Sequence, residues 1–599
     1  VSLPVPAELT ADAWRAAGRA LLAKAIAEFS YEELLTPSPE GNGRYRLDLP
    51  DRVVYRFAAS RGSYDSWFVD PLSITRSVGD ADAEEATDAL RFVLDSHRAL
   101  GMSGDTTGHL LRELSATLTA DCRLAASALP AAELAELTYA ELEGFQTGHP
   151  WIVPSKGRMG FSAADAATYP PEVRTALRLP WFAVDRELAD YRGIATLQEA
   201  DLYAGELDET TRARFTASLQ NRGLDPDRYL SLPVHPWQWD EIVVPLFAAE
   251  IAEQRIVPLG NGPDDYLVQQ SVRTFTNVST PNRHHVKLPL SVLNTLVWRG
   301  LPTERTLAAP AVTSWVLGLF EKDEFLRDVA RPILLGEVAS VTVRHEALES
   351  VSGVPYQYRE LLGAIWREPL VAKLDQGERA RTLASLLYVD PSGRAFAAEL
   401  VARSGLSAEA WLERLFHAML PPLLHFLYEY GVVFSPHGEN AIVVYDSSDV
   451  PSRLAVKDFV DDVNISDQPL PALTSLPPEI APVLLREPPA FLCQFIHSGL
   501  FVGHFRYLAE IFRSQLGVPV DRFWRLVRSE ILAYQSDFPG LVERFALFDL
   551  LTPRIERLCL NRNRLLLDGY RDRPARPHAA VYGTVPNPLY GFSQPAGAM

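Results

Sequence analysis

Residues 437–459, HGENAIVVYDSSDVPSRLAVKDF, bring an imidazole, two carboxylates and an amide into one short segment: His437, Glu439, Asn440 and Asp458. NAIVVY reads as a strand, DSSDVPS as a turn and RLAVKDF as a returning strand. A hairpin centred near Asp449 predicts Asn440 opposite Asp458, so that an amide oxygen meets a carboxylate at the open end. Hard oxygen ligands of this kind hold Mg²⁺ on nucleotide phosphates, as an Asn and a later Asp do in protein kinases. A polar β-turn with a capped end accounts for the same residues, and the segment alone leaves both readings open. At a hairpin end, Asp458 is not expected to anchor the core.

Three further segments carry candidate chemistry. QQSVRTFTNV, residues 269–278, places the Ser271 and Thr274 hydroxyls around the Arg273 guanidinium, a planar fork suited to phosphate or carboxylate. Lys287, Thr295 and Arg299 follow, giving a local basic cluster. By itself this reads as a solvated strand face. GHPWIVPSKGRMGFS, residues 148–162, holds His149, Lys156 and Arg158 on a loop broken by Pro and Gly, where side chains can reach a ligand. Alone it reads as a connector with basic residues. In LPVHPWQWDE, residues 232–241, His235 lies beside prolines and tryptophans and reads as a rigid packing corner.

These motifs need elements to position them. Thr10 caps a helix running to Phe29, segments 46–58 and 64–77 are strand-like, and 80–144 is helical in pattern. LVQQSVRTFTNV (267–278) and HHVKLPLSVLNT (284–295) read as the strands of a hairpin, with Pro289 marking an edge or a bulge. Ser407 caps a helix, Ala418–Phe434 reads as a buried helix followed by a strand, and helices fill 478–568. The Pro-, Gly- and Tyr-rich tail from Asp572 reads as an extended arm. The fold class is therefore α+β.

The 599-residue composition, 47% hydrophobic and 22% charged, is that of a globular protein and excludes a mostly disordered chain. With 57 basic and 76 acidic side chains the net charge is −19, which disfavours nucleic acid as a partner but not a small anion in a local basic pocket. The three cysteines, Cys122, Cys493 and Cys559, form no CxxC, which fits a reducing compartment. No apolar run approaches the roughly 20 residues of a membrane span, and the first residues lack the features of a signal peptide. A soluble, cytoplasmic protein is expected. A GxxxxGK[ST] loop, an HExxH helix, a GxGxxG turn and a GxSxG elbow are all absent.

Together, GHP…KGRxGF, HPWQW, SxRT…N with VKLPL…T…R, and HGEN followed by KD occur in order across residues 148–458. In this the chain resembles the NRPS-independent siderophore synthetases, the aerobactin-synthetase-like IucA/IucC family. The resemblance implies a ligase that uses ATP and Mg²⁺ to adenylate a carboxylate, releases pyrophosphate and passes the acyl group to an amine or hydroxylamine. It also implies a homodimer and a cupped-hand fold: a mainly helical thumb-like region at 1–150, a β-rich fingers-like region at 151–385 and a kinase-like palm at 386–599.

The resemblance assigns Ser271, Arg273, Thr274, Lys287 and Arg299 to the phosphates of ATP, with Arg299 at the α-phosphate. His437, Asn440 and Asp458 fall to the nucleotide and Mg²⁺, with Glu439, where Gln is common, as an added metal contact. Arg273, Arg299 and His437 become the catalytic candidates, because attack on the α-phosphate builds charge that fixed cations stabilise. His149, Lys156, Arg158 and Thr295 fall on the substrate side, with His504 and Arg506 of GHFRYL as further acyl-pocket candidates. Ile152 and Val153 replace a His-Pro pair usual in the family, and Ile152 is expected to favour an acyl chain with an apolar portion. Near the C-terminus, where many members carry a Lys before a final Arg, LCLNRNRLL offers Arg562 and Arg564 and leaves the Lys equivalent open. The segments 262–277 and 286–301 resemble members that join hydroxamate-bearing succinyl-amines, with citrate as the next substrate class. A kinase-like small-molecule phosphotransferase and a non-catalytic binding protein for an acidic metabolite are the competing readings.

Overall fold

The computed structural model describes residues 5–591, apart from 475, 568 and 578. The last residues of the tail, 592–599, lie outside it. Thr10 caps the helix Ala11–Tyr31 by accepting the Ala13 N–H. That helix buries Leu22, Ile26 and Phe29 against the helix Gly104–Ala126 and a six-stranded antiparallel sheet between residues 38 and 85.

The middle of the chain forms an eight-stranded antiparallel sheet. From one edge to the other its strands are Ala189–Gly193, Glu337–Val343, Leu362–Arg367, His285–Lys287, Thr274–Asn277, Ile256–Val268, Leu177–Asp185 and Tyr229–Pro233. It has its own core, built on Phe182, Val184, Ile256, Phe275 and Trp366. Residues 267–278 are not one strand, as the sequence suggests, but a tight hairpin. Val268 pairs with Phe275, and Val272 at φ 61 turns the chain between them. The Ser271 hydroxyl accepts the Thr274 N–H and closes the loop. The expected pairing with the next segment is present, Thr274 opposite Lys287. Pro289 ends that strand, and Leu290–Asn294 leaves it to pair with Val297–Arg299 in a separate ribbon.

A four-stranded sheet runs in the order Ile333–Leu334, Pro451–Val456, Ala441–Tyr445, Arg379–Thr382. The boundary expected near residue 385 therefore falls inside this sheet. The hairpin at 441–456 is present, but its register differs by one residue from the expectation. Ala441 stands opposite Val456, with a bulge at Val444/Tyr445, so Asn440 aligns with Lys457 and not with Asp458. Asp458 takes φ 71, a conformation Asp tolerates better than most residues. It turns the chain into the single helical turn Phe459–Asp462.

The C-terminal helices Ala408–His425 and Val520–Asp537 pack on each other and share one hydrophobic core with the N-terminal region. Between them Phe495–Phe505 forms an eleven-residue π-helix, a form used mostly as short bulges near functional sites. The tail arm is a paired strand, Ala580–Pro586 against Arg554–Cys559. Cys122, Cys493 and Cys559 are buried and free. Among the described residues no helix is long and apolar enough to cross a membrane.

Candidate functional site

A cavity of about 710 Å³ opens where the hairpin end, the Leu290–Arg299 ribbon, the 146–151 loop and the π-helix converge. Seven sequence-predicted residues line it: His149, Arg158, Thr295, Arg299, His437, Glu439 and His504. Asp461 and Asp462, which the sequence reading missed, form an acidic part of the wall, with the Asn464 amide beside them. Trp151, Phe491, Phe495, Leu558 and Leu560 form an apolar part. Ser271, Arg273, Thr274, Lys287, Asn440 and Asp458 are not among the lining residues, and Arg273, Lys287, Asn440 and Asp458 connect to the wall through the charges of the 458–462 turn.

These charges are buried and interlocked. Lys287 Nζ sits 2.8 Å from Asp458 Oδ1 and 2.8 Å from Asp461 Oδ2. Arg367 donates to the same Asp458 oxygen. Asp461 also faces Arg273 at 3.6 Å and Arg305 at 3.4 Å. Arg273 donates to the Gly300 carbonyl. Burial opposes the charge on Lys287, but Asp458, Asp461 and Glu337 outweigh it and raise the ammonium above its ordinary value. Burial likewise opposes ionisation of Asp458, yet Lys287 and Arg367 hold its carboxyl well below the usual range.

The expected amide–carboxylate pair forms with a different carboxylate. The Asn440 side-chain amide donates to Asp462, four residues beyond Asp458, because the helical turn carries Asp462 back over the hairpin end. Among the described residues the Asn440 Oδ1 atom is buried without a hydrogen-bond partner. His437 Nε2 stands 3.8 Å from Asp462. Burial, reinforced by Asp458 and Asp461, raises the Asp462 carboxyl well above its ordinary value. Burial and then Arg273 lower Arg299 to about 10, which leaves it charged at neutral pH. Its guanidinium donates to the Thr295 hydroxyl.

On the 148–162 loop only part of the expectation holds. His149 Nδ1 accepts the N–H groups of Trp151 and Ile152 at 3.1 and 3.0 Å, which places the ring proton on Nε2. Burial, then Lys24, drives its pKa well below the ordinary value. Lys156 does not line the cavity. Its ammonium is 2.8 Å from Asp121 and donates to the Thr147 carbonyl, behind Gly148. Arg158 reaches the wall, but Glu172 takes its guanidinium in a buried bidentate pair. Ile152 and Val153 are buried outside the lining, so the chain preference drawn from Ile152 has no contact behind it.

The remaining candidates divide similarly. His504 lines the cavity with a buried Nε2 that lacks a partner among the described residues, and burial lowers its pKa to about 3. Arg506 lies behind Trp151, 2.7 Å from Glu28 and stacked on Tyr31. Arg564 is locked to Glu113 and Arg562 caps the 32–33 turn, so neither faces the cavity. His235 is the packing corner the sequence suggests, fully buried and accepting the Trp237 N–H. The acidic DD of DFVDDVN was a usable signal for Asp461 and Asp462. Glu337 and Arg367 lie in ordinary-looking strands and carried none.

Comparison with known proteins places this geometry in context. The family model described as IucA / IucC family matches residues 138–388, and one described as ferric iron reductase FhuF-like transporter matches 409–573. The chain is 41% identical to the rhizobactin siderophore biosynthesis protein RhbF of Rhizobium meliloti (strain 1021), over 99% of this chain and 98% of that protein. It is 34% identical to the putrebactin synthase of Shewanella sp. (strain MR-4), over 98% of this chain and 94% of that one. The solved structure of aerobactin synthetase IucC from Klebsiella pneumoniae superposes with a TM-score of 0.85 at 32% identity, covering 96% of this chain and 98% of that chain.

Proposed function

The chain belongs to the IucA/IucC family of siderophore synthetases, and on that premise we propose that it is an ATP-dependent ligase that adenylates a carboxylate and transfers the acyl group to an amine or hydroxylamine. The observation that carries this reading is one cavity with three kinds of wall. It holds a charged guanidinium at Arg299, carboxylate oxygens at Asp461 and Asp462, and neutral histidines beside an apolar face. In family terms, the four-stranded sheet with its hairpin is the palm-like part and the eight-stranded sheet the fingers-like part.

The residues fit a magnesium ion. The orphaned Asn440 Oδ1 is a hard oxygen without a partner, and Asp462 and Glu439 adjoin it. Mg²⁺ commonly takes one or two carboxylates and completes its shell with water and phosphate. When bound, it supplies positive charge against phosphate oxygens. Arg299 meets the charge that develops on the α-phosphate as the carboxylate attacks. Before nucleotide and cation bind, Arg273 and Lys287 hold Asp461 and Asp458 in place from behind. His149, with its proton on Nε2, donates to the acyl carboxylate. His437 is half-buried, and burial lowers its pKa. It is neutral at pH 7 and takes the proton of the attacking amine.

For the acid, a hydroxamate-bearing succinyl-amine is preferred to citrate, because Trp151, Phe491, Phe495, Leu558 and Leu560 offer a methylene chain an apolar wall. The test is a panel of citrate, succinate and succinylated hydroxamate amines with ATP and hydroxylamine. Acid-dependent AMP and pyrophosphate, greatest with the succinylated amine, support the proposal. ADP would indicate a phosphotransferase, and binding without turnover would leave only a binding protein.

A further inference from the structure

Glu337 has no exposed surface and lies in the strand Glu337–Val343 of the eight-stranded sheet, outside every motif of the sequence. Its two carboxylate oxygens do different things. Oε2 accepts the Val460 N–H at 3.0 Å, inside the helical turn that carries Asp461 and Asp462 to the cavity. Oε1 has no hydrogen-bond partner among the described residues. It stands 3.6 Å from Lys287 Nζ and 3.6 Å from Arg367 Nη2. Both cations instead donate to Asp458, and Lys287 also to Asp461.

A buried carboxylate oxygen held at ion-pair distance from two cations but without a hydrogen bond leaves an acceptor that another state can use. In this structure Lys287 bridges two carboxylates of the acidic turn, the position a bound divalent cation or its phosphates would contest. Once those carboxylates turn toward a cation, Lys287 and Arg367 need another anion, and the nearest unused acceptor is Glu337 Oε1. We infer that Glu337 is a positioning residue that receives Lys287 and Arg367 when a divalent cation and nucleotide occupy the turn, while its other oxygen keeps the turn in register. It acts through these groups and touches no substrate. The inference rests on the nucleotide and cation reading given above.

Glu337→Gln keeps the shape and an oxygen for the Val460 N–H but removes the charge. The measurement is Mn²⁺ binding by electron paramagnetic resonance with α,β-methylene-ATP, which needs no turnover. Glu337→Gln is expected to weaken Mn²⁺ binding by roughly 10-fold, the lower end of what loss of a supporting outer-shell group costs. In kinetics it raises the KM for ATP·Mg²⁺ more than it lowers kcat. Lys287→Met provides the second arm. If Glu337 acts through Lys287, adding Glu337→Gln to Lys287→Met changes Mn²⁺ affinity far less than it does in the wild type. The double variant removes opposite charges together, and its comparison with Lys287→Met isolates what Glu337 does once Lys287 is gone. Unchanged Mn²⁺ affinity in Glu337→Gln, or additive losses in the double variant, would overturn the inference. Failure of the wild type to bind Mn²⁺ with the analogue would instead overturn the nucleotide reading beneath it.

Discussion

The turn at 458–464 and the loop at 148–162 both bring charged residues to the same cavity, and they use them in opposite ways. In the turn, cations from distant strands converge on Asp458 and Asp461 and hold the backbone, while Asp461 and Asp462 line the cavity. In the loop, each cation is neutralised by an acid close by in space: Lys156 by Asp121 and Arg158 by Glu172. Only His149 is left to act. A basic residue in a motif therefore says little until its partner is known. Coulombic attraction in a buried wall is spent first on the nearest counter-charge, and only the remainder reaches a ligand.

Variants in each region break or sharpen this contrast. Arg299→Ala should lower the adenylation rate by roughly 10²–10³, as when one donor to developing charge is lost. The thermal midpoint should stay near that of the wild type, because Arg299 lines the cavity and its side chain donates to the Thr295 hydroxyl. Asp458→Asn should remove adenylation and also cost on the order of 3 kcal/mol of stability, because it leaves Lys287 and Arg367 facing one fewer carboxylate. That reverses the expectation that a hairpin-end carboxylate leaves the fold untouched, and chemical denaturation of the variant checks it. A smaller effect is expected in pH profiles. The step that needs neutral His437 is intact above its pKa and lost below it. Burial lowers that pKa, so the acid limb of kcat/KM should lie below the ordinary value of 6.5, and His437→Gln should remove the limb. The smallest kinetic effect is expected from Lys156→Ala. The thermal midpoint should fall while KM for acid and for ATP both stay unchanged. A selective rise in the acid KM would return Lys156 to the substrate side and erase the distinction between turn and loop.

How far the sequence was legible follows from where partners lie. The hairpin at 441–456 could be read because its strands and turn residues are contiguous. Its exact pairing could not, because the bulge at Val444 and the left-handed Asp458 each depend on packing. The helix cap at Thr10, the buried helix at 408–425 and the His235 corner depend on near neighbours and were readable. Glu337 was invisible because its bond to Val460 spans 123 residues. Arg506 was misread because its partner Glu28 lies 478 residues away. The cavity's apolar wall draws on Trp151, Phe491 and Leu558, three segments that nothing in the local sequence links.

Carboxylate-dependent exchange of labelled pyrophosphate into ATP, measured without any amine, tests the central claim most directly. The account predicts exchange that requires both the acid and Mg²⁺, persists in Lys156→Ala and falls by roughly 10²–10³ in Arg299→Ala. Absence of exchange in the wild type across the acid panel, with ADP formed instead, would contradict it.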